Sequence, residues 1–334
     1  WGIDIWEDKI VYSITQPNGD PKIRDIHMLD LSQCQEWLLT NGGRTAAVVI
    51  NQKLSVWGDF SETSNDPYYC NDLVMYDLVT EQKVQLTDDP EGDGELALYG
   101  NLLAFTRAEQ ADPNAGYDLR LMNLDTAEAT VLLPAEWLPI FPHLSERYLV
   151  FPAQSEDSTS IGRDIHYYDM QQKKLTHVWE TADVFCGLNT HYGDWIVYVG
   201  NYERLQPPFR VGIFRISTGD HIVLSDDEGA GPGYALHRNL VAWSTTLYSG
   251  TWYEGPVDIE VYDTNAGFKR RVSKNSSMLL PIALHFPYLV LRDLRKYTGD
   301  PMRNDYYVAH LVKLGITDAQ GNLLAGEGVI EPPQ

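Results

Sequence analysis

Six times in this chain an aspartate precedes a hydrophobic or aromatic residue that opens a short β-like run, at Asp25, Asp72, Asp118, Asp164, Asp258 and Asp305. Successive spacings are 47, 46, 46, 94 and 47 residues, so the long interval hides one degenerate copy. That copy is read as Val211-Gly212-Ile213-Phe214, with Val211 in the place of the aspartate. Seven strand-built units of such a period are the signature of a β-propeller. The expected fold is therefore all-β, a seven-bladed β-propeller with four-stranded antiparallel blades.

The third unit spells out one blade. Leu96-Ala97-Leu98 is a short apolar strand, Tyr99-Gly100-Asn101 a tight turn, and residues 102–106 a second strand of β-compatible residues. A polar loop carrying Asp112-Pro113-Asn114 follows, which neither helix nor strand accommodates well. Residues 118–124 and 129–133 complete the set on either side of a turn. Repeating that order puts the blades at about 1–40, 41–88, 89–134, 135–181, 182–227, 228–274 and 275–324, leaving 325–334 as a C-terminal tail or linker. Third strands such as Leu73-Val74-Met75-Tyr76 are apolar on both faces, so each sheet has to be covered on both sides. Blade packed on blade meets that demand.

The units resemble the TolB-like (WD-repeat-like) β-propeller repeat, whose third strand has the form Asp-Ile-x-x-Tyr-Asp-Leu and whose fourth ends in Leu-Thr. Here these stand as Asp25-Ile26-His27-Met28-Leu29-Asp30-Leu31, as residues 72–78 followed by Leu86-Thr87, as residues 164–170, and as Asp258-Ile259-Glu260-Val261-Tyr262-Asp263. The resemblance covers residues 1–315 and implies the fold. The Ser-Pro-Asp-Gly turn common in that family is absent, and function does not travel with a fold.

Of the 334 residues, 43% are hydrophobic and 22% charged, and no apolar run approaches the roughly 20 residues that span a bilayer. A formal net charge of -22 argues against general affinity for nucleic acid or anionic membrane, both of which depend on basic clusters. Cys34, Cys70 and Cys186 fall in different units, so at most one disulfide can form and no CxxC site exists. No leader precedes Trp1, and the acidic, Tyr-rich composition sets an expectation of an extracellular or periplasmic protein. Oligomeric state is not legible.

The repeated aspartates read as structural: a residue found at one place in six of seven units most simply caps the preceding loop. His143, His191, His237 and His285 fall at the turn between first and second strands of the last four units, expected to stand well apart. His27 and His166 share one repeat position and read as ordinary strand residues. Asp89, Glu91 and Asp93 open a calcium-loop pattern, but position twelve is Gly100, so calcium is a possible ligand and no cofactor is required. The loops between second and third strands of units five to seven are the basic and aromatic ones. They carry Tyr202, Arg204 and Arg210, then Tyr248, Trp252 and Tyr253, then Arg292, Arg295, Lys296, Tyr297 and Arg303, with Lys22 and Arg24 added by the first unit. Aromatic planes and guanidinium forks suit sugar rings, carboxylates and sulfates.

Two functional expectations follow. The first is a binding or scaffold module that takes a glycan or protein partner through these loops, since no nucleophile elbow, P-loop or paired zinc-ligand motif occurs. The alternative is a polysaccharide lyase on uronate-containing polymers, with Arg292 or Arg295 neutralising the carboxylate and Tyr202 or Tyr248 moving the proton.

Overall fold

The computed structural model describes residues 2–15, 23–43, 45–59, 72–88, 91–108, 116–154, 164–178, 189–200, 210–225, 230–246, 257–273, 279–293, 305–326 and 328–331. Apart from one short 3-10 turn at Ala135–Trp137, its regular elements are strands. They form seven antiparallel sheets, and the fold is a seven-bladed all-β propeller.

The chain divides into two compact units. The first holds four blades: β1 (Ile3–Trp6), β2 (Lys9–Thr15), β3 (Arg24–Asp30) and β4 (Gln35–Leu38); β5 (Thr45–Ile50), β6 (Leu54–Asp59), β7 (Asp72–Asp77) and β8 (Lys83–Gln85); β9 (Asp93–Tyr99), β10 (Leu102–Ala108), β11 (Tyr117–Asn123) and β12 (Glu128–Leu133); β13 (His143–Leu144), β14 (Tyr148–Ala153), β15 (Asp164–Asp169) and β16 (Lys174–His177). The second unit holds β17 (Asn189–Tyr192), β18 (Trp195–Gly200), β19 (Arg210–Arg215) and β20 (His221–Val223); β21 (Ala230–His237), β22 (Leu240–Thr246), β23 (Val257–Asp263) and β24 (Phe268–Arg271); and β25 (Leu279–His285), β26 (Tyr288–Asp293) and β27 (Asp305–His310). Six blades have four strands. The seventh has three among the described residues.

Each pair of neighbouring sheets within a unit shares an apolar layer. Val11, Ile26, Val48 and Trp57 join blades one and two, and Val56, Leu73, Leu103 and Phe105 join two and three. Leu119, Leu149 and Phe151 lie between three and four, Val211, Ile213 and Trp243 between five and six, and Ile259, Val261, Leu289 and Leu291 between six and seven. Apart from Val48 of β5, these side chains come from both faces of second and third strands, which is why those strands are not polar-alternating.

Turns at the far end of the third strands are fixed by a second repeated side chain. Asp30 accepts from the N–H groups of Ser32 and Gln33, Asp77 from Val79 and Thr80, Asp169 from Gln171 and Gln172, and Asp263 from Asn265 and Ala266, all at 2.8–3.2 Å. An aspartate two residues before the donors makes an Asx turn, which sets each hairpin into the fourth strand.

After β27 the chain turns through residues 311–315, and Ile316 and Leu323 enter the layer between blades six and seven. Of the segment read from the sequence as tail or linker, the described residues 325, 326 and 328–331 run beside blade six. Arg270 donates to the carbonyls of Leu324, Gly326 and Gly328, the Ile330 N–H donates to Val272 at 2.6 Å, and Ile330 is fully buried.

Candidate functional site

The end of each blade where the second strand leaves and the third begins is the end that bears the long loops. A recurrent polar motif is built there. The N–H of Ile26 donates to Thr40 Oγ1 at 2.9 Å, Leu73 to Thr87 Oγ1 at 2.8 Å, Val211 to Ser225 Oγ at 2.9 Å and Ile259 to Ser273 Oγ at 2.7 Å. Donor and hydroxyl are 14 residues apart in all four blades. In blade one the Thr40 hydroxyl donates a hydrogen bond to Asp25 Oδ1 at 3.1 Å, and Asp25 also accepts the Gly43 N–H at 3.0 Å. In blade six Ser273 stands 3.4 Å from Asp258 Oδ1, and Arg271 Nη1 lies 3.1 Å from Asp258 Oδ2.

This geometry gives the repeated aspartate a role and corrects one expectation. Asp25 ties the third strand to the fourth and to the connection that follows, because the buried N–H of the next residue needs the hydroxyl as its partner. The fifth unit is shifted by one residue from the reading above. Val211 bonds Ser225 as Ile26 bonds Thr40, and Arg210 pairs with Gly200 as Asp258 pairs with Thr245 and Asp72 with Asp59. Arg210, half-buried, is therefore the residue that replaces the aspartate.

In the second unit the loop-bearing end also presents Arg292 of β26, buried and in register with Leu280 and Tyr306. Tyr306 is exposed. Of the other expected contact residues, Tyr202, Arg204, Tyr248, Trp252, Tyr253, Arg295, Lys296, Tyr297 and Arg303 lie outside the described residues, as does Lys22. Arg24 is half-buried at the start of β3 in the first unit.

The expected calcium ligands are not equivalent. Asp93 is buried and gives both carboxylate oxygens to Arg107, at 2.6 Å from Nε and 2.9 Å from Nη2. Its charge is matched by a guanidinium in bidentate geometry. Glu91 is half-buried, and Asp89 lies outside the described residues. Among the described residues no group of three or more His, Cys, Asp or Glu side chains converges as a metal site.

The histidines depart from the expected separation. In the second unit the rings of His237 and His285 are 4.1 Å apart, and Tyr192 meets His237 edge-on at 4.5 Å. His237 Nδ1 accepts the Phe286 N–H at 3.0 Å, and the Arg238 guanidinium lies 5.2 Å over the Phe286 ring. Burial holds His237 down at about 3 and His285 at about 4; the charges of His285 and Arg238 act the same way on His237, and that of Arg238 on His285, where a backbone hydrogen bond at Phe286 opposes them. Both are neutral side chains joining turns of adjacent blades. In blade four His166 stacks on His177 at 4.7 Å and on Phe151 at 6.0 Å, and burial lowers it to about 4. His177 Nε2 is 3.3 Å from Asp164, so the aspartate of this blade takes an imidazole where Asp258 takes a guanidinium.

No protein-family model matches the sequence, and no curated protein matches it. Solved structures do. The chain is similar to TolB from Acinetobacter baumannii at 15% identity, TM-score 0.52, over 78% of this chain and 62% of that one, so it spans less than two thirds of TolB. It is similar to an oligogalacturonate lyase from Vibrio parahaemolyticus at 13% identity, TM-score 0.61, over 91% and 86%. It is similar to the β-propeller domain of the Trilobed protease from Pyrococcus furiosus at 11% identity, TM-score 0.67, over 92% and 94%. At such identities the shared property is the propeller fold.

Proposed function

We propose that this propeller is a binding module, extracellular or periplasmic, that recognises a glycan or protein partner through the loop-bearing ends of blades five to seven. One observation carries the reading. At a position where six blades keep an aspartate, the fifth has Arg210, in a chain whose net charge is -22. A cation in place of a repeated fold-building anion is a feature of this blade alone, and a guanidinium suits carboxylate, sulfate or an acidic side chain. Arg292, at the matching end of blade seven, and the aromatic loop residues around Tyr202, Trp252 and Tyr297 extend the same chemistry.

The test is Arg210→Asp, which restores the residue of the other blades and leaves the Val211 bond to Ser225 in place. Binding to immobilised uronate and sulfated polysaccharides and to candidate proteins is compared with the native chain. Loss of about 1.5–3 kcal/mol of affinity is expected, as for a charge-assisted hydrogen bond. Equal affinity in both forms overturns this surface. Following absorbance of unsaturated product during the same incubations decides between binding and lyase action, because a sustained rise with any uronate polymer makes the protein an enzyme.

A further inference from the structure

Arginines at the blade ends that carry the turn between first and second strands are held in a common way, and in one blade the arrangement is incomplete. In blade four Arg147 lies 5.0 Å over the Tyr148 ring and gives Nε and Nη2 to Asp169 Oδ2, at 3.0 and 2.7 Å. In blade five Arg215 lies 5.3 Å over Trp195 and donates from Nε to Asp194 Oδ2 at 3.0 Å. The two ion pairs use the same two positions. One is the residue just before the one that closes the turn, Arg147 or Asp194; the other is the third-strand residue in register with the closing residue, Asp169 with Tyr148 and Arg215 with Trp195. The charges are exchanged between the blades, and the pairing is kept.

Blade six departs from this. Its two positions are Asn239 and Asp263, the latter in register with Leu240, and the segment after β27 engages both. Asn239 donates to the Gly321 carbonyl at 3.2 Å, while Asp263 Oδ2 accepts the Leu323 N–H at 3.1 Å and its Oδ1 sets the Asx turn. The arginine stands one residue earlier, as Arg238, exposed and 5.2 Å over the Phe286 ring of blade seven. Among the described residues no carboxylate pairs with it. The chain has 47 acidic side chains against 25 basic ones, so a guanidinium left without a carboxylate does not reflect scarcity. Its neighbours His237, His285 and Phe286 supply no negative charge.

We propose that Arg238 is a docking point for a carboxylate, supplied by an aspartate or glutamate side chain of a partner protein. The class follows from Asp169 and Asp194: a guanidinium resting on an aromatic ring in this fold holds the side-chain carboxylate of an aspartate. Such charge-assisted bonds are the strong ones, and the planar fork matches a carboxylate. Tyr192, exposed and 4.5 Å from the His237 ring, offers an apolar contact beside the charge. In every blade this end is opposite to the loop-bearing one, so the inference does not rest on the proposed function and stands if that reading fails.

The probe is N-acetyl-aspartyl amide, whose one charge is the side-chain carboxylate, titrated into the full chain. NMR follows the Nε–H signal of Arg238, identified by its loss in Arg238→Gln, and the ring signals of Tyr192. A saturable shift of both is expected, with a Kd of about 1–10 mM, weakened about tenfold or more for N-acetyl-asparaginyl amide. In Arg238→Gln, at an exposed position, the Tyr192 signals should no longer respond to the probe. Equal shifts with the two amides, no saturable shift, or an unchanged response of Tyr192 in Arg238→Gln overturns the proposal. So does tighter binding of galacturonate than of N-acetyl-aspartyl amide, which would make the ligand a sugar acid.

Discussion

At the scale of single residues, two very similar hydrogen bonds are expected to differ in energy. Thr40 accepts the buried Ile26 N–H and donates to the buried Asp25 carboxylate, so its hydroxyl serves two partners, one of them an anion. Ser225 accepts the Val211 N–H in the same way, but Arg210 stands where the carboxylate would be. Thr40→Val should cost about 2–3 kcal/mol and Ser225→Ala about 1 kcal/mol, since bonds to charged groups are worth about twice neutral ones. Urea unfolding of both variants, read as a shift in midpoint at constant slope, checks the order. Equal losses would mean that the aspartate adds nothing to the tie. The sequence made Asp25 and its five counterparts visible through their spacing. Their partners were not visible, because one hydroxyl 15 residues away and one backbone N–H in the next connection have no signature in a single unit. The same limit misplaced the fifth aspartate by one residue: a hydrophobic run aligned Val211, whereas only the bond to Ser225 gives the true register.

At the scale of elements, the turns of neighbouring blades meet through neutral imidazoles. His237 at the end of β21 accepts from Phe286 beyond β25 and touches the His285 ring, with Tyr192, His191 and Arg238 nearby on the β17 and β21 turns. Both histidines are depressed from the ordinary 6.5, His237 to about 3 and His285 to about 4, chiefly by burial. Below pH 6.5 the unfolded chain takes up protons that the folded one refuses. Stability conferred by neutral burial is thus full above that pH and is lost as pH falls toward the folded values. His237→Gln keeps an acceptor for Phe286 and removes one titrating group. Its unfolding free energy should fall less steeply between pH 6 and 4, by up to about 1.4 kcal/mol per pH unit, than that of the native chain. Parallel profiles would show that the pair does not couple the turns. Spacing placed these histidines at equivalent turns but predicted them apart; ring contact depends on how far each turn leans toward the next blade, which the repeat period does not encode.

At the scale of the whole molecule, charge and repeat act together. The period that counted seven blades was legible because every blade needs the same apolar second and third strands, while the three-stranded seventh blade, as seen among the described residues, was only hinted at by a weak fourth strand after Lys313. A net charge of -22 attracts a cationic segment over distances comparable to the Debye length, about 10 Å at 0.1 M salt, and repels an anionic glycan over the same range. The loop-end surface therefore carries a definite salt dependence. Raising NaCl from about 20 to 200 mM screens the long-range repulsion between this chain and an acidic polymer. Association of an acidic polysaccharide at the Arg210 end should become faster over the same range, while its dissociation also quickens as local ion pairs weaken. Stopped-flow traces at several salt concentrations separate the terms. An acidic polymer whose on-rate falls with salt would mean that the cationic loop ends dominate the net charge at the distance where encounter is decided.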